Sequence, residues 1–438
     1  MTAVTPAQVH ETIGRHMLAD GMDLVFDLRR SKGRKIYDSR RERWLLDFFS
    51  FFASAPIGFN HPALLEPEFM SKLSEVAVNN ITNSDLYTEE MAAFVDRFSS
   101  FGIPDYLPHL FMVAGGGLAV ENALKVAFDW KRRKNIAHGK GDSLGSQVIH
   151  FRQAFHGRTG YTLSLTNTSD PRKTIYFPKF DWPRIDNPKV TFPLNQEHLA
   201  AVQQAEELAV KQIHAAIAAN PDDIAALIIE PIQGEGGDNH FRNEFFQQLR
   251  TICDEQELFL ILDEVQTGVG LTGRFWAHEH TGMQPDAIAF GKKSQVCGIL
   301  VSRRVEEVEG HVFVESSRIN STWGGNLIDM VRFGKYLDVI EQENLVANAA
   351  TQGDYLLQQL EQLQIEFPQL SNARGRGLMC AFDLPSGTER DNFVSALYEA
   401  GLVILGCGDN SVRFRPSLNI TRDELDEGLA LIRGTLLK

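Results

Sequence analysis

The sequence predicts an α/β protein: a mostly parallel sheet covered by helices, plus a smaller α/β lobe built from both chain ends. Two observations predict it. Between about Met91 and Arg318, apolar runs of strand length alternate with helical patterns, the signature of a sheet buried on both faces. Outside that block, short strand patterns recur near the N-terminus and again after Asn326. The 438 residues are 43% hydrophobic, enough for a large core, and the net charge of −14 implies no general attraction to nucleic acid or anionic membrane.

In chain order, a short helix is expected from near Pro6, and the opening residues lack the basic-then-apolar layout of a signal peptide. Strands at 35–38 and 44–49 pair around the turn 39–43, and the aromatic stretch FFSFFASAPIGFNHP becomes a loop punctuated by Pro56, Gly58 and Pro62. The central block then reads strand 110–113, helix 118–133, strand 148–151, helix 200–219, strand 225–229, helix 243–255, and strands 258–262 and 287–290. A helix from Asn326 through Gln342 leads into the C-terminal lobe, with strands near 379–384, 403–405 and 412–414 and a last helix over 422–436. The expected division is 1–64 and 329–438 as a discontinuous small domain around a large domain at 65–328. Cys253, Cys297, Cys380 and Cys407 are scattered without CxxC spacing, which points to a reducing compartment and away from zinc or disulfides. No apolar run approaches the ~18 residues of a membrane span. Together these predict a cytoplasmic protein.

Several strand ends carry chemistry. In DAIAFGKKSQVCG, an apolar strand and Gly291 deliver Lys292 and Lys293 together. A desolvated lysine beside a second ammonium has a lowered pKa and can attack carbonyls, although a solvated basic turn is the plainer reading of GKK alone. Ala114-Gly115-Gly116-Gly117 joins a strand to a helix, where converging N–H groups and the helix N-terminus suit an anion such as phosphate. Asp263 and Glu264 end an apolar strand at the edge where open α/β sheets bind ligands. Weaker signals are Phe155-His156-Gly157-Arg158, the glycine-rich run from Glu230 to Gly237, Asn320 to Asn326, and Arg413 with Arg415. His278 and His280 flank Glu279 without HExxH spacing, so no metal is expected. A reactive amine, a phosphate cradle, a strand-end carboxylate and a stacking aromatic are the parts that pyridoxal 5′-phosphate requires.

The order GGGLAVENALK, FHGR, EPIQGEGG, DEVQTG, FGKK, NSTWGGN and VRFRP resembles the class III, fold-type I aminotransferases over nearly the whole chain. Within the class, SLTNT, FPKFDWPRID, DEVQTGVGLTG and RGRGLMCAF are most similar to members that take lysine as amino donor. Members that take 4-aminobutyrate come next. The resemblance implies a seven-stranded, mostly parallel sheet, pyridoxal 5′-phosphate as cofactor, and a homodimer with active sites at the subunit interface. It implies that Lys292, and not Lys293, attaches the cofactor, that Gly116 and Gly117 bind its phosphate, and that Thr322 reaches the phosphate of the neighbouring subunit's cofactor. Phe155 would stack on the ring, Asp263 pair with the ring nitrogen, Gln266 lie near the ring hydroxyl, and Glu230 belong to the cofactor site. For substrate, Arg158 would hold the α-carboxylate of L-lysine, with Asn320 near it. Glu235 would pair with Arg413 and release it when 2-oxoglutarate binds. Two departures from the class pattern stand out: Ala114, where an acidic or polar residue is usual, and Phe52, whose ring would narrow the pocket.

Overall fold

The computed structural model describes residues 4–438, so the first three residues of the expected N-terminal segment lie outside the described residues. Three core strands, Ile224–Ile229, Phe259–Asp263 and Ala287–Phe290, are buried along their whole length. Their side chains alternate between two cores. Ile288 and Phe290 pack into one with Leu260 and Leu262, while Ala287 and Ala289 pack into the other with Phe259 and Ile261. Such two-faced burial requires helices on both sides. Helix Gly116–Ala137 covers one face, burying Ala119, Val120, Ala123, Leu124 and Ala127 at helical spacing. Asn243–Glu255 and Leu327–Gln342 contribute to the core on the other face.

The sheet has seven strands, in the order His109–Val113, Cys297–Val301, Ala287–Phe290, Phe259–Asp263, Ile224–Ile229, Gln147–Phe151 and Arg184–Ile185. All pair in parallel except Cys297–Val301, which runs antiparallel to both neighbours. Sequence patterning does not separate that strand from the lysine turn. The connection after Phe290 is too short for a parallel crossover, so the chain must double back. Gly298 is required there, because a Cβ would come within 2.3 Å of the Phe111 carbonyl oxygen.

The chain ends meet. Lys35–Asp38 and Arg43–Asp47 form an antiparallel pair, and Leu402–Val403 adds to Arg43–Asp47 in parallel. The single strand expected over 403–405 is split: the chain leaves that small sheet at Val403 and enters a four-stranded sheet at Leu405–Cys407, beside Ser411–Phe414. The four cysteines are buried and free. Among the described residues no helix is long and apolar enough to cross a membrane, and no group of three or more His, Cys, Asp or Glu is placed to hold a metal ion.

Candidate active site

Parallel strands end on one edge, and that edge holds a cavity of about 550 Å³. Lys292 enters it from the end of Ala287–Phe290. Gly291 must lack a side chain, since a Cβ would lie 2.9 Å from Cys297 Sγ. Lys292 itself takes a left-handed φ of 54°, which turns the chain so that consecutive lysines diverge. Burial, helped by the Arg413 charge, lowers the Lys292 pKa to about 8, against the opposing pull of Asp263 and Glu230. Lys293 turns into the protein, where its Nζ donates to the carbonyl oxygens of Gln266 (2.6 Å) and Ala53 (3.3 Å).

The two carboxylates at the end of Phe259–Asp263 diverge by the same alternation. Asp263 lines the cavity, accepts from the Val265 N–H at 3.0 Å and lies 2.8 Å from His156 Nδ1. Glu264 points to the other side, accepting from the His278 and Ala277 N–H groups at 2.8 and 3.1 Å and meeting His278 Nδ1 at 2.9 Å. Tyr106 completes that network through its hydroxyl, 2.6 Å from His278 Nε2. Of the pair, then, only Asp263 can meet a ligand here. Glu230 accepts from the N–H groups of Phe155 (2.9 Å) and Gly234 (3.1 Å), fixing two loops; burial pushes its carboxyl pKa up.

Opposite the lysine, Gly116 and Gly117 form the first turn of the long helix, and Gly115 precedes them at φ 116°. A Cβ on Gly116 would lie 2.9 Å from Val265 Cγ1. The cavity wall therefore presents bare backbone at a helix N-terminus. Phe155 and Gln266 also line it. Arg415 Nε donates to Gln266 Oε1 at 2.9 Å. Because a guanidinium can only donate, the oxygen must face Arg415 and the amide NH₂ is left for other partners. Arg415 is in turn held by a buried ion pair with Asp238.

A second cavity of about 750 Å³ shares Phe155, Glu235, Gln266 and Lys292 with the first and adds Phe52, Arg158 and Arg413. Phe52 reaches it from an unusual turn: Ser50, Phe51, Phe52 and Ala53 all have positive φ (40°, 54°, 59° and 63°). Asp47 anchors the turn by accepting from the Phe49 and Ser50 N–H groups, each at 2.9 Å. The expected Glu235–Arg413 ion pair does not form. Glu235 is paired with Lys173 and accepts from Thr168 Oγ1 at 2.9 Å, while neither Arg413 nor Arg158 has a side-chain hydrogen bond or ion pair among the described residues. In this conformation Lys173, not Arg413, holds the Glu235 carboxylate. Thr322 and Asn320 are exposed and line neither cavity.

Sequence reasoning missed His156 and Lys173. His156 lies within the FHGR stretch, yet only tertiary contact reveals its carboxylate partner. Lys173 ends the short 3-10 helix Pro171–Lys173, where nothing in the sequence marks its carboxylate partner.

A family model for the class-III aminotransferases matches residues 17–436. The chain belongs to that family. It is 51% identical over 434 residues to the L-lysine-epsilon aminotransferase of Mycobacterium tuberculosis, covering 99% of this chain and 96% of that protein. It is 48% identical over 432 residues to the enzyme of the same name from Streptomyces clavuligerus, covering 98% and 94%. Human mitochondrial 4-aminobutyrate aminotransferase is 34% identical over 427 residues, covering 91% and 82%. The solved structure of lysine aminotransferase from M. tuberculosis in the internal aldimine form superposes with a TM-score of 0.97, at 51% identity and 99% coverage of both chains. The chain is a pyridoxal phosphate-dependent aminotransferase of fold-type I. Its residues fit the cofactor: a half-buried amine, a buried carboxylate, an aromatic ring and a side-chain-free helix N-terminus line one cavity.

Proposed function

We propose that this aminotransferase moves the ε-amino group of L-lysine to 2-oxoglutarate, giving 2-aminoadipate 6-semialdehyde and L-glutamate in two successive half-reactions. One observation carries the reading: the cavity beyond Lys292 is lined by two guanidinium groups, Arg158 and Arg413, that make no side-chain hydrogen bond or ion pair among the described residues. Two free cations suit a dicarboxylate such as 2-oxoglutarate. Lysine needs only one of them, because its carboxylate is remote from the reacting amine. Arg158 takes that carboxylate, and Glu235 covers Arg413. With 2-oxoglutarate, Arg413 binds the carboxylate beside the keto carbon and Arg158 binds the distal one. The lysine-named relatives at 48–51% identity support this donor.

When bound, pyridoxal phosphate supplies an aldehyde carbon for amines and a ring that withdraws electrons. Gly116 and Gly117 would offer their N–H groups to its phosphate, Phe155 would cover a ring face, and Asp263, held in place by His156, would pair with the ring nitrogen. Gln266 would offer its amide N–H to the ring oxygen. Lys292, when not bound to the cofactor, would be placed to take a proton from the substrate carbon, and its lowered pKa leaves a usable fraction of neutral amine near pH 7–8. Glu230 fixes the loops that carry Phe155 and Gly234.

The reading extends to the assembly. Thr322 is exposed and lines neither cavity, in keeping with a homodimer in which it reaches the neighbouring subunit's cofactor; Asn320, expected near the substrate, lines neither cavity within one subunit. The Leu402–Val403 pairing with Arg43–Asp47 supports a small domain of 1–64 with 329–438 around a cofactor domain of 65–328.

The test is a panel of half-reactions with lysine, ornithine and 4-aminobutyrate, followed by cofactor absorbance, then product analysis with 2-oxoglutarate. Lysine is expected to give the highest kcat/KM. A second reading, 4-aminobutyrate as donor, is favoured by the 34% identity to the human 4-aminobutyrate aminotransferase, and 4-aminobutyrate ranking first with lysine last would establish it over the first.

A further inference from the structure

We propose that Lys173 is the second station for the Glu235 carboxylate, and thereby a specificity-determining residue that sets how readily Arg413 is released to a substrate. The proposal rests on the two-carboxylate reading above and deepens it. Glu235 stands where the two cavities meet, with Lys173 and Arg413 both lining the outer one. Its carboxylate is engaged by Lys173 Nζ and by Thr168 Oγ1 at 2.9 Å. Lys173 Nζ lies 6.0 Å from the Phe155 ring centroid, so this cation is tied to the ring that faces the cofactor cavity. The neighbouring Arg172 is engaged by Asp170, with Nε 2.8 Å from Oδ1, and in this conformation makes no ion pair with Glu235.

The two stations differ in solvent access, and that difference gives the switch its direction. The Lys173 side chain is 24% exposed, while Arg413 is 6% exposed and its Nε has no partner. An ammonium at the rim rehydrates when its partner leaves; a buried guanidinium does not. Left to Arg413 alone, Glu235 would stay on it, and every incoming α-carboxylate would have to break a buried ion pair. Lys173 and Thr168 offset that loss by receiving the displaced carboxylate. The conformation seen here is therefore the acceptor-ready one, with Arg413 open. In the lysine half-reaction Glu235 returns to Arg413, and Lys173 turns to water at little cost.

The experiment compares Lys173→Met and Lys173→Arg in both half-reactions of the holoenzyme, reading apparent Kd and limiting rate from cofactor absorbance. Lys173→Met should weaken glutamate and 2-oxoglutarate by about tenfold, within the usual range for coupled sites. Its limiting rate should hold, and its Kd for lysine should not rise. Lys173→Arg should restore keto acid binding. In a Glu235→Gln background, Lys173→Met should have no further effect on glutamate, since the carboxylate it receives is gone. Equal weakening of lysine and glutamate, no change in either, or an undiminished effect in the Glu235→Gln background would each overturn the proposal. If lysine is not the donor, the parent enzyme itself will lack that half-reaction, whereas the glutamate arm still reads Lys173.

Discussion

The floor of the site and its outer vestibule handle charge in opposite ways. At the floor, Asp263 meets His156, Glu264 meets His278, Lys293 donates to two carbonyls, and Arg415 is locked to Asp238. In the vestibule, Arg158 and Arg413 make no side-chain hydrogen bond or ion pair among the described residues and stand beside aromatic rings and a turn of left-handed residues. Arg413 and Arg415 make the contrast within one short stretch of chain. The floor's charges are satisfied by the protein and set geometry, and the vestibule's charges are left for substrate and set specificity. Buried polar groups must be paired by something, so the buried Arg413 guanidinium, whose Nε has no partner among the described residues, is a statement about the ligand; Arg158, which is exposed, can be satisfied by water until a ligand arrives.

The sharpest break in that comparison is Lys292→Ala, which removes the one floor group that is meant to react. Loss of covalent cofactor attachment, seen as loss of the visible absorption band, and a fall in turnover of at least about 10³-fold are expected. Lys293→Met should keep the band. It strands the Gln266 and Ala53 carbonyls, so its signature is stability lower by about 1–3 kcal/mol in denaturant titration. If the two variants exchange behaviour, the assignment at this strand end is wrong by one residue.

Next comes the arginine pair. Arg415→Met leaves Asp238 buried and unpaired and should destabilise by about 3–5 kcal/mol. It should also shift the pH at which the cofactor band titrates, because Gln266 loses its fixed orientation. Arg413→Met removes a cation that has no side-chain hydrogen bond or ion pair among the described residues and only the Phe52 ring beside it, so unfolding should be nearly unchanged while 2-oxoglutarate binding collapses. Equal destabilisation by both would erase the distinction between floor and vestibule.

How much of this was legible without coordinates follows from what each residue depends on. The strands Ile224–Ile229 and Ala287–Phe290 were readable because two-faced burial writes a continuous apolar run, and Lys292 because a glycine turn ends such a run. The motif resemblance supplied roles for Gly116, Phe155, Asp263 and Gln266, and all of these line the cavity. Cys297–Val301 was hidden by its short connection and by Gly298. The turn over Ser50–Ala53 was hidden too, since no glycine marks its positive φ values. The partner of Glu235 could not be read at all: Lys173 lies 62 residues away, and a contest between two cations is decided by solvent access.

A smaller effect, about one decade per pH unit, is expected for cofactor loading. Lys292 must be neutral to attack the aldehyde, and its pKa is lowered to about 8. Reconstitution of apoenzyme should accelerate about tenfold per unit from pH 6 and level off near 8, as the neutral fraction saturates. The sign for stability follows from the same shift. Between about 8 and the ordinary 10.5 the unfolded chain binds the extra proton, so Lys292's contribution makes the apoenzyme more stable as pH rises through that window. A loading rate that is flat across this range would mean that the amine is not the titrating group.

The smallest effect tests whether the vestibule's turn is held by its rings. Phe52 packs edge-on to Phe49 at 4.7 Å between centroids and faces the Arg413 guanidinium at 5.8 Å. At a half-exposed position such a cation–π contact contributes about 0.5–1 kcal/mol. The left-handed backbone at φ 59° opposes it by about 1–2 kcal/mol for a non-glycine residue. Phe52→Leu keeps the strain and loses the ring contacts, so melting temperature should fall slightly and the Kd for 2-oxoglutarate should move less than about fivefold. Phe52→Gly loses both, and because the strain is the larger quantity it should melt at or above the parent despite the missing ring. A clear drop for Phe52→Gly would show that the Phe49 and Arg413 contacts outweigh the strain, which would make this turn part of the rigid floor.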